Sequence, residues 1–269
     1  VRPYTLHLGE LPLLVSVPHA GTWLPPELQA RLTAAGQTLP DTDWHVDQLY
    51  GFVPALGASL LVAHPSRYVV DLNRPADDTP LYPGQAGTGL VPTETFGGAP
   101  LWTVPPTDEE RRARVERWWA PYHAALHDTL ERIRKRHGYA ILWDGHSIRG
   151  TVPRLFEGRL PDLNLGTDSG RSASPVLERA AAAALAEGPW STVSNGRFKG
   201  GHITRHCGSP AHGIHALQLE MAWSVYLDEE VPEHWDAERA APVQAHLRRV
   251  LEAVLEAGQK LGKTPREHS

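Results

Sequence analysis

Disulfide chemistry is excluded at the outset, because the 269 residues hold one cysteine, Cys207, and a bridge within the chain needs two. That scarcity fits a reducing compartment. Long apolar runs are missing as well. Stretches such as Leu11 to Val17 fall far short of the ~20 residues that cross a bilayer as a helix. The opening residues Val-Arg-Pro-Tyr do not carry the basic start, apolar stretch and cleavage site of a secretory signal, so a cytoplasmic protein is expected. Basic charge is in deficit, with 26 Lys and Arg against 31 Asp and Glu, a net −5 with His neutral. A nucleic-acid or anionic-membrane partner needs a basic excess on one face, and neither is expected. No signal for an oligomeric state stands out. Internal repeats, low-complexity tracts and linkers are also absent. With 41% hydrophobic and 21% charged residues, the composition is that of an ordinary globular chain. We expect a single domain over residues 1–269.

Short aliphatic runs alternate with helical patterns. Leu11 to Val17, Ser59 to Ala63, Tyr68 to Leu72, Tyr139 to Trp143 and Ala216 to Glu220 read as strands covered on both faces. Val115, Trp118, Tyr122, Leu126, Leu130 and Ile133 form one helical stripe. Thr107 and Glu110 supply a capping box at its start and Gly138 its stop, while Pro121 predicts a kink or break. Ser174 and Pro175 open an alanine-rich helix to about Glu187. A final helix carries Val243, Leu247, Val250, Leu251, Val254 and Leu255 up to Gly258, with a frayed tail after Lys260. A further helix is expected from Asp43 to Val53. Pro75 to Pro106 reads as a long irregular excursion. The pattern is α/β: an open, mostly parallel or mixed sheet with helices on both faces and a ligand crevice beyond the strand ends.

Three side chains stand at those ends: His19 after Leu-Leu-Val-Ser-Val-Pro, His146 after Ala-Ile-Leu-Trp-Asp-Gly, and Glu220 closing Ala-Leu-Gln-Leu-Glu. Two imidazoles and a carboxylate are a donor set that zinc accepts, against the plainer reading that each histidine is a turn residue. Asp43 and Asp47 are spaced to share a helix face, although aspartate at a helix start is commonly a cap. Arg67, Asn73 and Arg74 group around the Tyr68 to Leu72 run, and guanidinium and amide donors suit a carboxylate ligand unless they serve ion pairs with Asp71, Asp77 or Asp78. The Asn195 to Pro210 segment, rich in glycine and cationic residues, reads as a loop closing over an anion. Cys207 within it reads as a buried, inert thiol.

Six motifs occur in order: Ser-Val-Pro-His-Ala-Gly, Asp-Thr-Asp-Trp-His-Val, Val-Asp-Leu-Asn-Arg-Pro, Asp-Gly-His-Ser, Asn-Leu-Gly-Thr and His-Ala-Leu-Gln-Leu-Glu-Met. Between residues 16 and 221 they resemble the N-formylglutamate amidohydrolase family. That family is similar in turn to zinc carboxypeptidases and to the deacylases aspartoacylase and succinylglutamate desuccinylase. The resemblance implies a zinc carboxypeptidase-like fold and cytoplasmic, zinc-dependent cleavage of the formyl amide of N-formylglutamate during histidine breakdown. It implies His19 and His146 as metal ligands, Glu220 as the base that activates water, Arg67 on the scissile carbonyl, and Asn73 with Arg74 on a substrate carboxylate. Arg205, in the Arg197 to Arg205 segment, is the candidate for the second carboxylate. The wider group takes its acidic ligand three residues after the first histidine, but Thr22 stands there. The ligand is therefore assigned to Asp43, ahead of Asp47 and Glu27. A deacylase of another N-acyl amino acid and a non-catalytic carboxylate-binding protein are the alternatives.

Overall fold

A computed structural model describes residues 1–80 and 87–261. Its centre is a seven-stranded sheet formed by β1 (Tyr4–His7), β2 (Leu13–Val17), β3 (Ser59–Ala63), β4 (Ala140–Ile148), β5 (Leu163–Gly166), β6 (Thr192–Ser194) and β7 (Ile214–Ala222). The order across the sheet is β1-β3-β2-β4-β7-β5-β6. The β3-β2-β4-β7 block is parallel, as is β5–β6. Antiparallel pairings join β1 to β3 and β5 to β7. The sheet is thus mixed, and β2, β4 and β7 send their carboxyl ends to one side.

Side chains alternate across each strand, and this sorts the core into two layers. Leu13, Val15, Val17, Ile141, Trp143, Leu217 and Leu219 face the helices Pro175–Leu185 and Ala237–Gly258. Leu14, Leu61, Ala140, Leu142 and Ala216 face the stripe Trp118, Tyr122, Leu126, Leu130 and Ile133. That stripe starts from the expected capping box at Thr107 and ends at Gly138, whose left-handed φ of 82° a side chain would resist. At Pro121 the chain stays helical, but the regular α-ladder is interrupted just before it. A π-helical turn, Val115–Trp119, lies immediately before the Ala120–His137 segment and absorbs the missing N–H.

Three expectations need correction. Tyr68 to Leu72 is no strand but a buried chain of turns. The Val69 N–H bonds to the Ser66 carbonyl, the Asn73 N–H to the Asp71 carboxylate and the Arg74 N–H to the Asp71 carbonyl, so local partners take the donors that a ladder would use. The Asp43 to Val53 helix is two single turns, Val46–Leu49 and Val53–Leu56, entered through His45 at a left-handed φ of 60°. Asp43 precedes both. Finally, β4 and β7 run past Trp143 and Glu220, which places His146 and Glu220 inside strands. Strands β1, β5 and β6 went unread because they are short and weakly patterned. Elsewhere the expected boundaries hold to within a few residues; Pro75 to Pro106 is irregular where described, and residues 81–86 and 262–269, with most of the expected frayed tail, lie outside the described residues.

Candidate active site

The same alternation that builds the core builds the site. On the face covered by the Ala120–His137 helix, β4 changes from Ala140 and Leu142 to Asp144 and His146, and β7 changes from Ala216 to Gln218 and Glu220. His146 and Glu220 are direct register partners. Asn164 of β5 stands opposite Glu220 and donates its amide N–H to the Glu220 carbonyl at 3.1 Å. Ser16 of β2 donates to Asp144 at 2.9 Å, and its strand runs on through Pro18 to His19. Three adjacent parallel strands thereby deliver polar groups to one crevice.

His19, Asp43 and His146 are buried, with one donor atom from each within 4.8 Å of the others. Each imidazole turns Nδ1 toward Asp43, at 3.7 Å from His19 and 2.9 Å from His146. Each also holds Nε2 against its own carboxylate: His19 on Asp71 at 2.8 Å, His146 on Asp144 at 2.9 Å. This carboxylate–imidazole pairing fixes ring orientation and raises ligand basicity. His19 Nδ1 is buried with no hydrogen-bond partner, and such an orphan is costly unless another ligand satisfies it. Two imidazole nitrogens and a carboxylate oxygen are a donor set that fits zinc.

Charge points the same way. Asp41, Asp43 and Asp71 are buried around the buried Arg67 guanidinium, and the buried Asp144 lies against His146. Burial opposes ionisation of Asp43, yet His146 and His19 hold it well below the usual carboxylate range. Burial likewise opposes protonation of His146, and Asp144 with Asp43 overcomes it, raising the imidazole well above its ordinary value. Arg67 donates to Asp71 at 2.8 Å and to the Asp41 carbonyl at 3.1 Å, with Phe96 packed on its face at 4.7 Å. A divalent ion at the trio would add positive charge directly among Asp43 and the carboxylates that hold the two imidazoles.

A cavity of about 90 Å³ opens beside the trio, lined among others by Arg67, Asn73, Arg74, Arg197, Gln218 and Glu220. Glu220 is 8% exposed, and among the described residues its carboxyl oxygens have no hydrogen-bond partner. Burial pushes it up to about 8, with Asp43 adding and His146 and Arg67 opposing. An acid poised near neutral pH can both take and return a proton. The cavity is thus a carboxyl next to a cation-ready trio, rimmed by guanidinium groups that suit an anionic ligand.

Of the residues singled out from sequence, His19, Asp43, His146, Glu220, Arg67, Asn73 and Arg74 meet here. Arg205 does not. Its Nε donates to the Gly200 carbonyl and its Nη1 lies 3.5 Å from Asp168, so the cation that this segment contributes to the cavity is Arg197. Asp47 is outside the trio because no helix runs from Asp43 to place the two on one face. Sequence reasoning did not single out Asp144 or Gln218, and it read Asp71 only as an ion-pair partner. The available signal was spacing, since in a strand Asp144 and Gln218 share the faces of His146 and Glu220.

Fold and site together define a class: an α/β protein with a histidine–carboxylate cluster under an arginine-rimmed cavity. The family model for N-formylglutamate amidohydrolase matches residues 11–227. N-formylglutamate deformylases from Pseudomonas putida and Pseudomonas aeruginosa are each 50% identical to the chain, covering 94% of it and 96% of their own lengths. Among solved structures, N-formylglutamate amidohydrolase from Ralstonia eutropha JMP134 aligns with a TM-score of 0.80 at 28% identity, over 98% of both chains. Gene product Atu2144 from Agrobacterium tumefaciens shares the fold at a TM-score of 0.73 and 16% identity, over 96% of both chains. The chain belongs to the N-formylglutamate amidohydrolase family.

Proposed function

We propose that this chain is a zinc-dependent deformylase that hydrolyses N-formyl-L-glutamate to formate and L-glutamate. The carrying observation is the pair of imidazoles that both aim Nδ1 at Asp43 while their own carboxylates hold Nε2, beside Glu220, whose carboxyl has no hydrogen-bond partner among the described residues. The names of the half-identical relatives support the substrate. His19, Asp43 and His146 would hold the zinc, which when bound supplies Lewis acidity toward water and carbonyl oxygen. Glu220 takes a proton from the attacking water as its oxygen bonds to the formyl carbon. It then returns that proton to the departing nitrogen, leaving formate and the free amine. Arg67, fixed by Asp71 and Asp43, stabilises the negative charge that builds on the formyl oxygen.

Specificity falls to the two glutamate carboxylates. Arg74, with Asn73, takes one, and Arg197 across the cavity takes the other. The reading includes one domain, a small acidic substrate in place of nucleic acid or membrane, and work in the cytoplasm within histidine breakdown. No helix among the described residues is long and apolar enough to cross a membrane. The test is metal analysis of chelator-free protein with turnover of N-formyl-, N-acetyl- and N-succinylglutamate. About one zinc per chain and a clear preference for the formyl compound are expected. Metal-free protein with full activity would overturn the zinc assignment, and a preference for a larger acyl group would overturn the substrate.

A further inference from the structure

The segment that carries Asn73 and Arg74 has no ladder to hold it, yet its consecutive carbonyls are all occupied from behind. The His123 Nε2 donates to the Leu72 carbonyl at 2.8 Å, and the Trp119 indole N–H to the Arg74 carbonyl at 2.9 Å. Between them, the His202 N–H reaches the Asn73 carbonyl at 3.4 Å, and the Ile203 N–H bonds to the Asn73 side-chain oxygen at 2.8 Å. Trp119 and His123 stack face to face, with ring centroids 3.7 Å apart and planes 19° from parallel. The His202 ring leans on both, at 5.9 and 5.5 Å.

Sequence-local features produce this arrangement. The π-helical turn Val115–Trp119 inserts a residue into the helical ladder, so that Trp118 is buried in the core while Trp119 stands at the Arg74 carbonyl. A carbonyl can only accept, so His123 must carry its proton on Nε2. Burial pushes that imidazole down to about 3, which keeps it neutral and in this role across the working range. Gly201 allows the close approach from the other side, since a Cβ there would lie 2.2 Å from the Asn73 amide nitrogen.

We propose that Trp119 and His123 form a clamp of positioning residues that fixes the Leu72–Arg74 backbone and thereby sets the direction in which Arg74 meets the substrate carboxylate. The inference rests on the deformylase reading for its kinetic test, but not for its structural one. Arg74 turns back through its own main chain: Nη1 donates to the Asn73 carbonyl and Nε to the Thr88 carbonyl. A shift of that backbone therefore moves the guanidinium directly.

The variant Trp119→Phe keeps an aromatic ring at the His123 stack, though a smaller one, and loses the indole N–H. In zinc-loaded enzyme it should raise KM for N-formylglutamate about 5- to 20-fold, with kcat and zinc content within about twofold of wild type. In an Arg74→Ala background the same substitution should change KM less than about twofold, because the group it directs is gone. His123→Phe should behave as Trp119→Phe does, and His123→Gln, which keeps a donor, should recover most of the loss. Hydrogen exchange of the peptide spanning residues 70–76 reads the clamp without any substrate and should accelerate about tenfold in Trp119→Phe. An unchanged KM in folded Trp119→Phe, or the same KM factor with and without Arg74, overturns the proposal. Should Trp119→Phe fail to fold, the contrast between His123→Phe and His123→Gln decides it by the same two criteria. Wild-type protein inactive on N-formylglutamate would overturn the deformylase reading alone. The exchange rates would then judge the clamp, with unchanged rates refuting it.

Discussion

Replacing Glu220 by Gln separates what this carboxyl does for the reaction from what it costs the fold. In metal-free protein its pKa is raised from the ordinary 4.5 to about 8 by burial, so the folded state favours the protonated form. The sign of the stability effect follows. Below pH 4.5 the group is protonated in folded and unfolded chains alike and contributes nothing. From there to about pH 8 the unfolded chain ionises while the folded one does not, so stability declines by about 1.36 kcal/mol per pH unit. Above about 8 the loss is complete and constant. The full gap corresponds to roughly 5 kcal/mol, and relaxation of the cavity around the charge brings the expected loss to about 2–4 kcal/mol.

Gln has the same shape and does not titrate. In urea unfolding with chelator present, the stability difference between Glu220→Gln and wild type should therefore grow in favour of the variant from pH 5 to pH 9. Added zinc should narrow that difference, because its charge stabilises the carboxylate that the fold otherwise disfavours. Turnover should move the opposite way, falling about 10²- to 10⁴-fold with KM and zinc content nearly unchanged. A difference that stays flat with pH would refute the burial argument. Turnover within about threefold of wild type would refute the assignment of the base, and loss of zinc would make Glu220 a ligand instead.

Asp43→Ala should abolish zinc retention in a chelator competition while Asp47→Ala leaves it near normal, because only Asp43 faces both imidazoles; the reverse order would move the ligand. Asp71→Asn and Asp144→Asn should each weaken zinc binding about 10- to 100-fold without changing the ligand count, since they hold the rings rather than the metal; unchanged affinity in both would show the pairings to be incidental. Arg197→Ala should raise KM about tenfold or more, while Arg205→Ala stays within about twofold; equal effects would remove Arg197 from the substrate carboxylate.

Most of the site was legible because its residues sit where sequence patterns are strongest. β2, β4 and β7 are aliphatic runs, and the change from apolar to polar on one face is visible as Asp144 and His146 or as Gln218 and Glu220. Asp43 was found for a reason that the structure replaces. It faces the two imidazoles not as part of a helix but from the loop that precedes the left-handed His45 and the Val46–Leu49 turn. Arg205 lies outside the cavity lining and Arg197 within it, because charge density in a loop says which segment approaches an anion, not which side chain arrives. The turns around Asp71 were read as a strand because Tyr68, Val69, Val70 and Leu72 are buried, and burial alone gives the composition of a strand without its hydrogen bonds.

That misreading bears on the chemistry. A strand through Tyr68 to Leu72 would have pointed successive side chains to opposite faces, and Asp71 could not then have bonded both His19 and Arg67 while also capping the Asn73 N–H. The turn lets one carboxylate orient the His19 imidazole, neutralise the guanidinium beside it and shape the backbone that carries Arg74. The cost of irregular, buried main chain is met from outside by donors that sequence periodicity does not reveal: the Trp119 indole, the His123 ring and the start of the His202–Cys207 helix. The Arg74 end of the cavity is therefore held by donors from two neighbouring helices, whereas the parts that carry His146 and Glu220 are held by the sheet. Substitutions behind Arg74 should accordingly act on substrate affinity, and substitutions in β4 and β7 on metal binding and turnover.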